Sequence, residues 1–318
     1  MSDSSFKNLQ ISNVTKDILL IHQFKPPFYF SCCDGLLILP QKGRNSQTIV
    51  LDLNIEPEYA QAINKKYGPI SDYVNTHGHM DHVAHVHAWE QLGVKIHAPF
   101  PESNNLLNLR NFYEIFGWNE GVDFLLVEKF GEINKYKACN EVTAFEPGAT
   151  LQFEDFTCET INFKGHSRSH VGFLLPSEEV FHISCLGFDQ VNPEKDGFGP
   201  WYGFKQCSID QYLEDISLAE LIFLEKAKFL TSSHSYIVKN PDTTPFEYMR
   251  EKIKKNQELV DQGLKSLNPN LEVEMKIKNL LEMDIIFPKR KMKGFLPELY
   301  NFWEKGFIEK HVQRSRIK

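Results

Sequence analysis

Thr76-His77-Gly78-His79-Met80-Asp81-His82 packs three imidazoles and one carboxylate into seven residues. A buried imidazole needs a hydrogen-bond partner or a metal, so packing alone is a poor account of so many polar rings in a row. The run His-x-His-x-Asp-His has instead the nitrogen and oxygen donors of a metal-binding loop. Of the twelve histidines in the chain, five fall between residues 77 and 87, so the enrichment is local to this stretch.

The flanking sequence says where the loop sits. Residues 70–74 predict a short strand running straight into the histidines, which puts them at a strand's carboxyl end, where open α/β sheets place ligands. Upstream, residues 17–22, 28–39 and 48–53 read as strands, the first two joined by a loop at Pro26-Pro27. Residues 56–67 have helical spacing, closed by Gly68-Pro69. Downstream, residues 80–92 predict a helix stopped at Gly93, and 95–98 a strand. The aromatic-rich stretch 101–136 reads as helices and loop over one edge of the site. Residues 141–163 alternate as a meander, and 171–175 with 180–184 as a hairpin. Ser208 and Gln211 form a capping box that opens a helix, and 229–231 is a last strand before His234. After Asn240-Pro241 the character changes: Thr244-Pro245 opens a mostly helical stretch to residue 318, with breaks at Gly263, Asn268-Pro269, Pro288 and Gly294. The expected organisation is one domain over residues 1–240 and a helical C-terminal extension over 241–318.

Composition narrows the class. With 318 residues, 42% hydrophobic and 24% charged, the chain can bury a large core and reads as a soluble globular protein. A net charge of -7 argues against general affinity for nucleic acid, which wants a basic face. The basic runs 289–293 and 314–318 read as solvated helix faces. The N-terminus lacks the layout of a signal peptide, and no apolar run reaches membrane-spanning length. Six cysteines without an export signal read as reduced thiols, so a cytoplasmic location and no membrane partner are expected.

Asp52 at a strand end, the Thr76 to His82 motif, Gly165-His166-Ser167, an acidic residue near Gly187-Phe188-Asp189 and His234 after a strand occur in that order. Over roughly residues 15–240 the chain therefore resembles the metallo-β-lactamase-fold hydrolases, a superfamily that includes glyoxalase II-like thioesterases, lactonases and RNA-processing nucleases. The resemblance implies an α/β fold, an αββα sandwich, and two divalent metal ions. Zinc is the first expectation, and the donors equally suit iron or manganese. His77, His79 and His166 would hold one ion; Asp81, His82 and His234 the other, with Asp189 as bridge. Two alternatives stay open at that last position: Gly187 occupies it and the bridge is missing, or Cys185 supplies a thiolate.

The chemistry implied is attack by a metal-bound hydroxide on a small-molecule thioester, lactone or other ester, while a metal polarises the carbonyl. Asp81 would both ligate and orient the hydroxide. Asp52 would steer a histidine's other ring nitrogen or the loop backbone. In Phe198-Gly-Pro-Trp-Tyr-Gly203, Tyr202 either donates a hydrogen bond to the developing oxyanion from the pocket rim or packs in a structural turn. His170 either supports the site or touches substrate. His85, His87 and His97 read as packing behind it, and His22, His182 and His311 show no partner pattern. The main alternative is a mononuclear iron dioxygenase acting on persulfides; a nucleic-acid-processing hydrolase ranks below it. In the extension, Phe295, Leu299, Phe302, Trp303 and Phe307 call for burial against the core, over the pocket or in a homodimer.

Overall fold

The computed structural model describes residues 6–28, 30–40, 47–154, 156–187, 200–234, 236–286 and 296–317. Two β-sheets face each other. The first contains β1 (Leu9–Asn13), β2 (Ile18–Gln23), β3 (Gly35–Ile38), β4 (Thr48–Leu51), β5 (Ile70–Val74), β6 (Lys95–Pro99) and β7 (Thr143–Phe145), side by side in chain order. Strands β1 to β4 pair antiparallel and β4 to β7 parallel. The parallel half needs crossovers. These are α1 (Pro57–Tyr67), then α2 (Met80–Val83) with α3 (His87–Gln91), then α4 (Leu109–Ile115) with α5 (Phe124–Ile133). The second sheet runs β8 (Thr150–Phe153), β9 (Phe156–Asn162), β10 (Val171–Leu175), β11 (Val180–His182), β12 (Phe229–Thr231) and β13 (Ile237–Lys239). Its one parallel pair, β11 and β12, is bridged by α6 (Ile209–Lys226). Three helices follow: α7 (Thr244–Ser266), α8 (Val273–Glu282) and α9 (Pro297–Ile317).

Alternation along the strands divides the apolar residues among three layers. Between the sheets, Ile18, Leu20, Leu36, Leu51 and Val74 meet Val171, Phe173, Leu175 and Val180. The opposite faces of β2 to β5, with Leu19, Ile21, Leu37, Val50 and Tyr73, are covered by Ala60, Ile63, Val83 and Trp89. Outside the second sheet, Leu174, Phe181 and Leu230 pack on Ile216 and Phe223 of α6 and on Phe246, Met249 and Ile253 of α7. This is an αββα sandwich. Among the described residues no helix is long and apolar enough to cross a membrane.

The helices beyond residue 240 join this last layer, so their apolar faces are buried against the sandwich. Trp303 of α9 lies with its ring 5.1 Å from that of Trp118 and 5.3 Å from that of Trp201. Phe307 stacks on Tyr202 at 4.0 Å. His311, one turn further, is wholly buried; its Nδ1–H donates to Gln257 Oε1 (2.9 Å) and its Nε2 accepts from the Tyr202 hydroxyl (3.0 Å).

Two elements depart from expectation for local reasons. The stretch 28–39 pairs as a strand only over Gly35–Ile38, because Ser31 turns back to hydrogen-bond Phe28 and Cys33 forms an isolated bridge with Asn54. The helix expected over 80–92 breaks between α2 and α3. The Asn54 side chain donates to the Asp81 carbonyl and accepts from the His85 amide (2.8 Å), groups that would otherwise bond each other. Asn75 likewise takes the His82 carbonyl (2.9 Å).

Trp303→Ala should cost about 3–5 kcal/mol in urea unfolding, the range for emptying a large aromatic site. Leu125→Ala, at a position 69% exposed, should cost under about 0.5 kcal/mol. Similar losses from both would contradict a shared core. Burial, with Arg314 nearby, pushes His311 down to about 3, while in the unfolded chain it titrates near 6.5. The unfolded state then takes up the proton first, and stability falls as pH drops through that window. His311→Gln should flatten the pH dependence of unfolding free energy between pH 6 and 5 by about 1 kcal/mol per unit.

Candidate metal centre

Asp52 closes β4 and adopts a left-handed conformation (φ 57°), which a short polar side chain tolerates. Its carboxylate is fully buried and accepts from the Thr76 amide (3.2 Å), His82 Nδ1 (2.9 Å), Ser184 Oγ (3.0 Å) and Ser233 Oγ (2.7 Å). Burial alone would raise its pKa; His82 and His182 overcome this and hold it well below the usual carboxylate range. One anion thus ties together the loops that carry residues 76–82, 184–185 and 233–234.

His77, His79 and His166 converge, with one ring nitrogen of each lying within 4.8 Å of the others. The hydrogen bonds decide their tautomers. His166 Nδ1 must be the donor to the Trp201 carbonyl (2.9 Å). His77 Nδ1 lies 3.0 Å from Thr76 Oγ1, whose hydroxyl reaches Ser184 Oγ (2.8 Å), whose own proton goes to Asp52. Both Nε2 atoms then present lone pairs to each other across 3.2 Å. Two such lone pairs repel unless a cation lies between them. Two imidazoles bound tetrahedrally at zinc–nitrogen distances would be separated by about 3.3 Å. His79 Nε2 is buried without a hydrogen-bond partner. Burial and neighbouring imidazoles hold His77 and His79 well below the ordinary histidine value and His166 at about 3, so all three rings are neutral, the state that binds metal. The trio fits a divalent ion.

A second set adjoins it. Asp81, Cys185 and His234 lie within the same limit of one another, as do His77, His82 and Cys185. The Cys185 sulfur stands 3.0 Å from His82 Nε2 and 3.1 Å from His234 Nε2, and Asp81 Oδ2 lies 3.6 Å from His82 Nε2. Cys185 sits on a single 3-10 turn (Ser184–Leu186) directly after β11. The described residues therefore bring a thiol to the place where the sequence favoured Asp189, which lies outside them. Burial pushes the Cys185 thiol up to about 11. Burial alone would lower His82, but the acidic groups around it, Asp52 first, raise it well above its ordinary value. A metal would displace protons from this pair.

The remaining candidates fall on either side of the centre. His170 is buried, with its ring 4.8 Å from those of His77 and His166 and neither nitrogen partnered. Tyr202 is not brought to the cluster. Its turn runs under α9, and its hydroxyl meets His311 rather than the cluster; the carbonyl of the neighbouring Trp201 reaches a cluster imidazole, that of His166. His22 pairs with Asp34 and His97 with Asp72, each at 2.7 Å, and His182 bonds Thr231 and Ser233. His85 and His87 lie buried along the α2–α3 segment.

No protein-family model matches the sequence, and no curated protein matches it. Solved structures do match its fold. A metallo-beta-lactamase family protein from Thermus thermophilus aligns at TM-score 0.62 and 11% identity, over 98% of this chain and 94% of that one. A beta-lactamase domain protein from Burkholderia ambifaria aligns at 0.63 and 13%, over 97% and 88%. A metallo-beta-lactamase from Pontibacter korlensis aligns at 0.52 and 15%, over 76% and 96%. The chain has the metallo-β-lactamase fold. The first two alignments extend across its C-terminal helices.

Cobalt(II) loading should produce thiolate-to-cobalt absorption in the near ultraviolet that disappears in Cys185→Ala and survives in Cys33→Ala. Persistence of the band without Cys185 would remove that residue from the ligand set.

Proposed function

We propose that the chain is a metal-dependent hydrolase of a small thioester, lactone or other ester, with His77, His79 and His166 holding one divalent ion and Asp81, His82, Cys185 and His234 a second. The observation that carries this reading is the pair of adjoining donor clusters, in the first of which the neutral imidazoles of His77 and His166 aim lone pairs at each other. These residues would hold ions that, when bound, would bring the pKa of water toward about 7 and polarise a carbonyl oxygen. A thiolate among the donors favours zinc or iron over manganese.

The protein's own part follows from exposure. His77, His82 and His166 are enclosed, whereas His79 is 8% exposed and Asp81 and His234 are half-buried, so substrate approaches on that side. Asp81 can orient a water there and accept its proton. Phe116 and Phe204 stack at 4.6 Å and stand 4.8 and 5.2 Å from the His79 ring. Both are buried, so they back the His79 ring with apolar core and keep water from that side of it. Asp52, Thr76 and the Trp201 carbonyl hold the imidazoles in their tautomers, which keeps the donor atoms aimed inward. The second donor set, beyond what a mononuclear dioxygenase needs, is the reason to prefer hydrolysis.

Metal analysis of the purified protein should find two ions per chain. A panel of thioesters and lactones should include a substrate whose kcat/KM falls on the order of a hundredfold or more in His79→Ala. One iron per chain, no hydrolysis, and oxygen uptake with a persulfide would select the dioxygenase instead.

A further inference from the structure

Glu102 opens the short 3-10 helix Glu102–Leu106 after β6 and is completely buried, yet no cationic side chain pairs with it among the described residues. A carboxylate survives out of water only where donors replace its hydration. Its donors are the Gly78 amide (2.8 Å) and the Ser167 hydroxyl (3.0 Å) on Oε2, and the Ser169 amide (3.0 Å) on Oε1. Gly78 separates His77 from His79, and Ser167 and Ser169 lie between His166 and His170. All three ligands of the first trio therefore lie on the two loops that this one carboxylate joins.

The grip on Gly78 is two-handed. Asn105, three residues along the same 3-10 turn and so on the same face, donates its Nδ2 to the Gly78 carbonyl (3.1 Å). A Cβ at residue 78 would fall 2.4 Å from Asn105 Nδ2 and 2.9 Å from Glu102 Cβ, so only glycine fits between the two side chains. The turn is itself anchored: Asn105 and Leu106 carbonyls accept from the Tyr136 hydroxyl (2.8 Å) and the Cys139 amide (2.7 Å). None of these residues bonds Asp81, Cys185 or His234.

We infer that Glu102 is a positioning residue for the first ion alone, a buried carboxylate that clamps the His77–His79 loop to the His166–His170 loop and sets the spacing of their three imidazoles. This rests on the metal-binding reading above. Glu102→Gln preserves size but turns an N–H₂ group toward either Ser169 N–H or the Gly78 and Ser167 donors, so one arm of the clamp must open.

Zinc and cobalt titrations of metal-free protein test it. In Glu102→Gln, affinity at the trio should fall 10–100-fold, while the ion at Cys185, followed by its thiolate–cobalt absorption, still binds. Hydrogen exchange in metal-free protein gives a readout independent of loading: the Gly78 and Ser169 amides should be protected together in wild type and lose protection together in the variant. If Glu102→Gln does not fold, Ser167→Ala, which deletes one donor, should weaken the trio several-fold. Unchanged affinity at the trio, an equal loss at both ions, or independent exchange of the two amides in wild type would overturn the inference. If wild type binds no ion at all, the metal reading fails, and coupled exchange of the two amides still decides whether the clamp exists.

Discussion

The centre depends first on a negative charge buried where two sheets meet. Asp52 stands at the end of β4 in the first sheet and reaches Ser184 and Ser233, which follow β11 and β12 of the second. The same group fixes His82 and the start of the histidine loop. A carboxylate this deep is tolerable because every neighbour donates to it. Neutralising it would leave three loops without a common partner. The sandwich brings strand ends together, and Asp52 turns their proximity into a defined arrangement of donors.

The C-terminal helices enter the centre indirectly. Helix α9 packs Trp303, Phe307 and His311 against the turn that contains Trp201 and Tyr202. The Trp201 carbonyl then fixes the tautomer of His166. A helix far along the chain is thereby two contacts from a ring of the His77–His79–His166 cluster. Trp303 and Phe307 are accordingly buried in the same layer as Phe116 and Phe204, the aromatic pair beside His79.

How much of this was legible depended on whether the information was local. His77, His79 and Asp81 to His82 announce themselves by spacing, and a strand before them predicts the loop. The sandwich came from the resemblance that the ordered motifs carry, while β2, β4 and β10 read on their own only as short apolar runs buried on both faces. Asp52 was readable as a steering group, though not that it binds four donors at once. Cys185 was harder: the family pattern expects an acid at the end of this strand, Asp189 lies four residues later, and the thiol stood only as an alternative to it. Tyr202 was misleading because its polar tip has a partner on α9, more than a hundred residues away. Strands β1 and β13 are short and partly exposed, and carry little pattern. Glu102 could not be read at all, since its partners are mostly backbone amides, which leave no mark on side-chain identity.

The interruption between α2 and α3 has a further consequence. The Asn54 amide stands in for a peptide group, taking the Asp81 carbonyl and the His85 amide that a continuous helix would join. Helical phase is therefore not transmitted across residues 83–86. In an uninterrupted helix each inserted residue would rotate everything attached to it by about 100°. Here the histidine loop is geared separately from the helix behind it, so α3 and the loop to β6 are free to vary in length while Asp81 and His82 keep their aim.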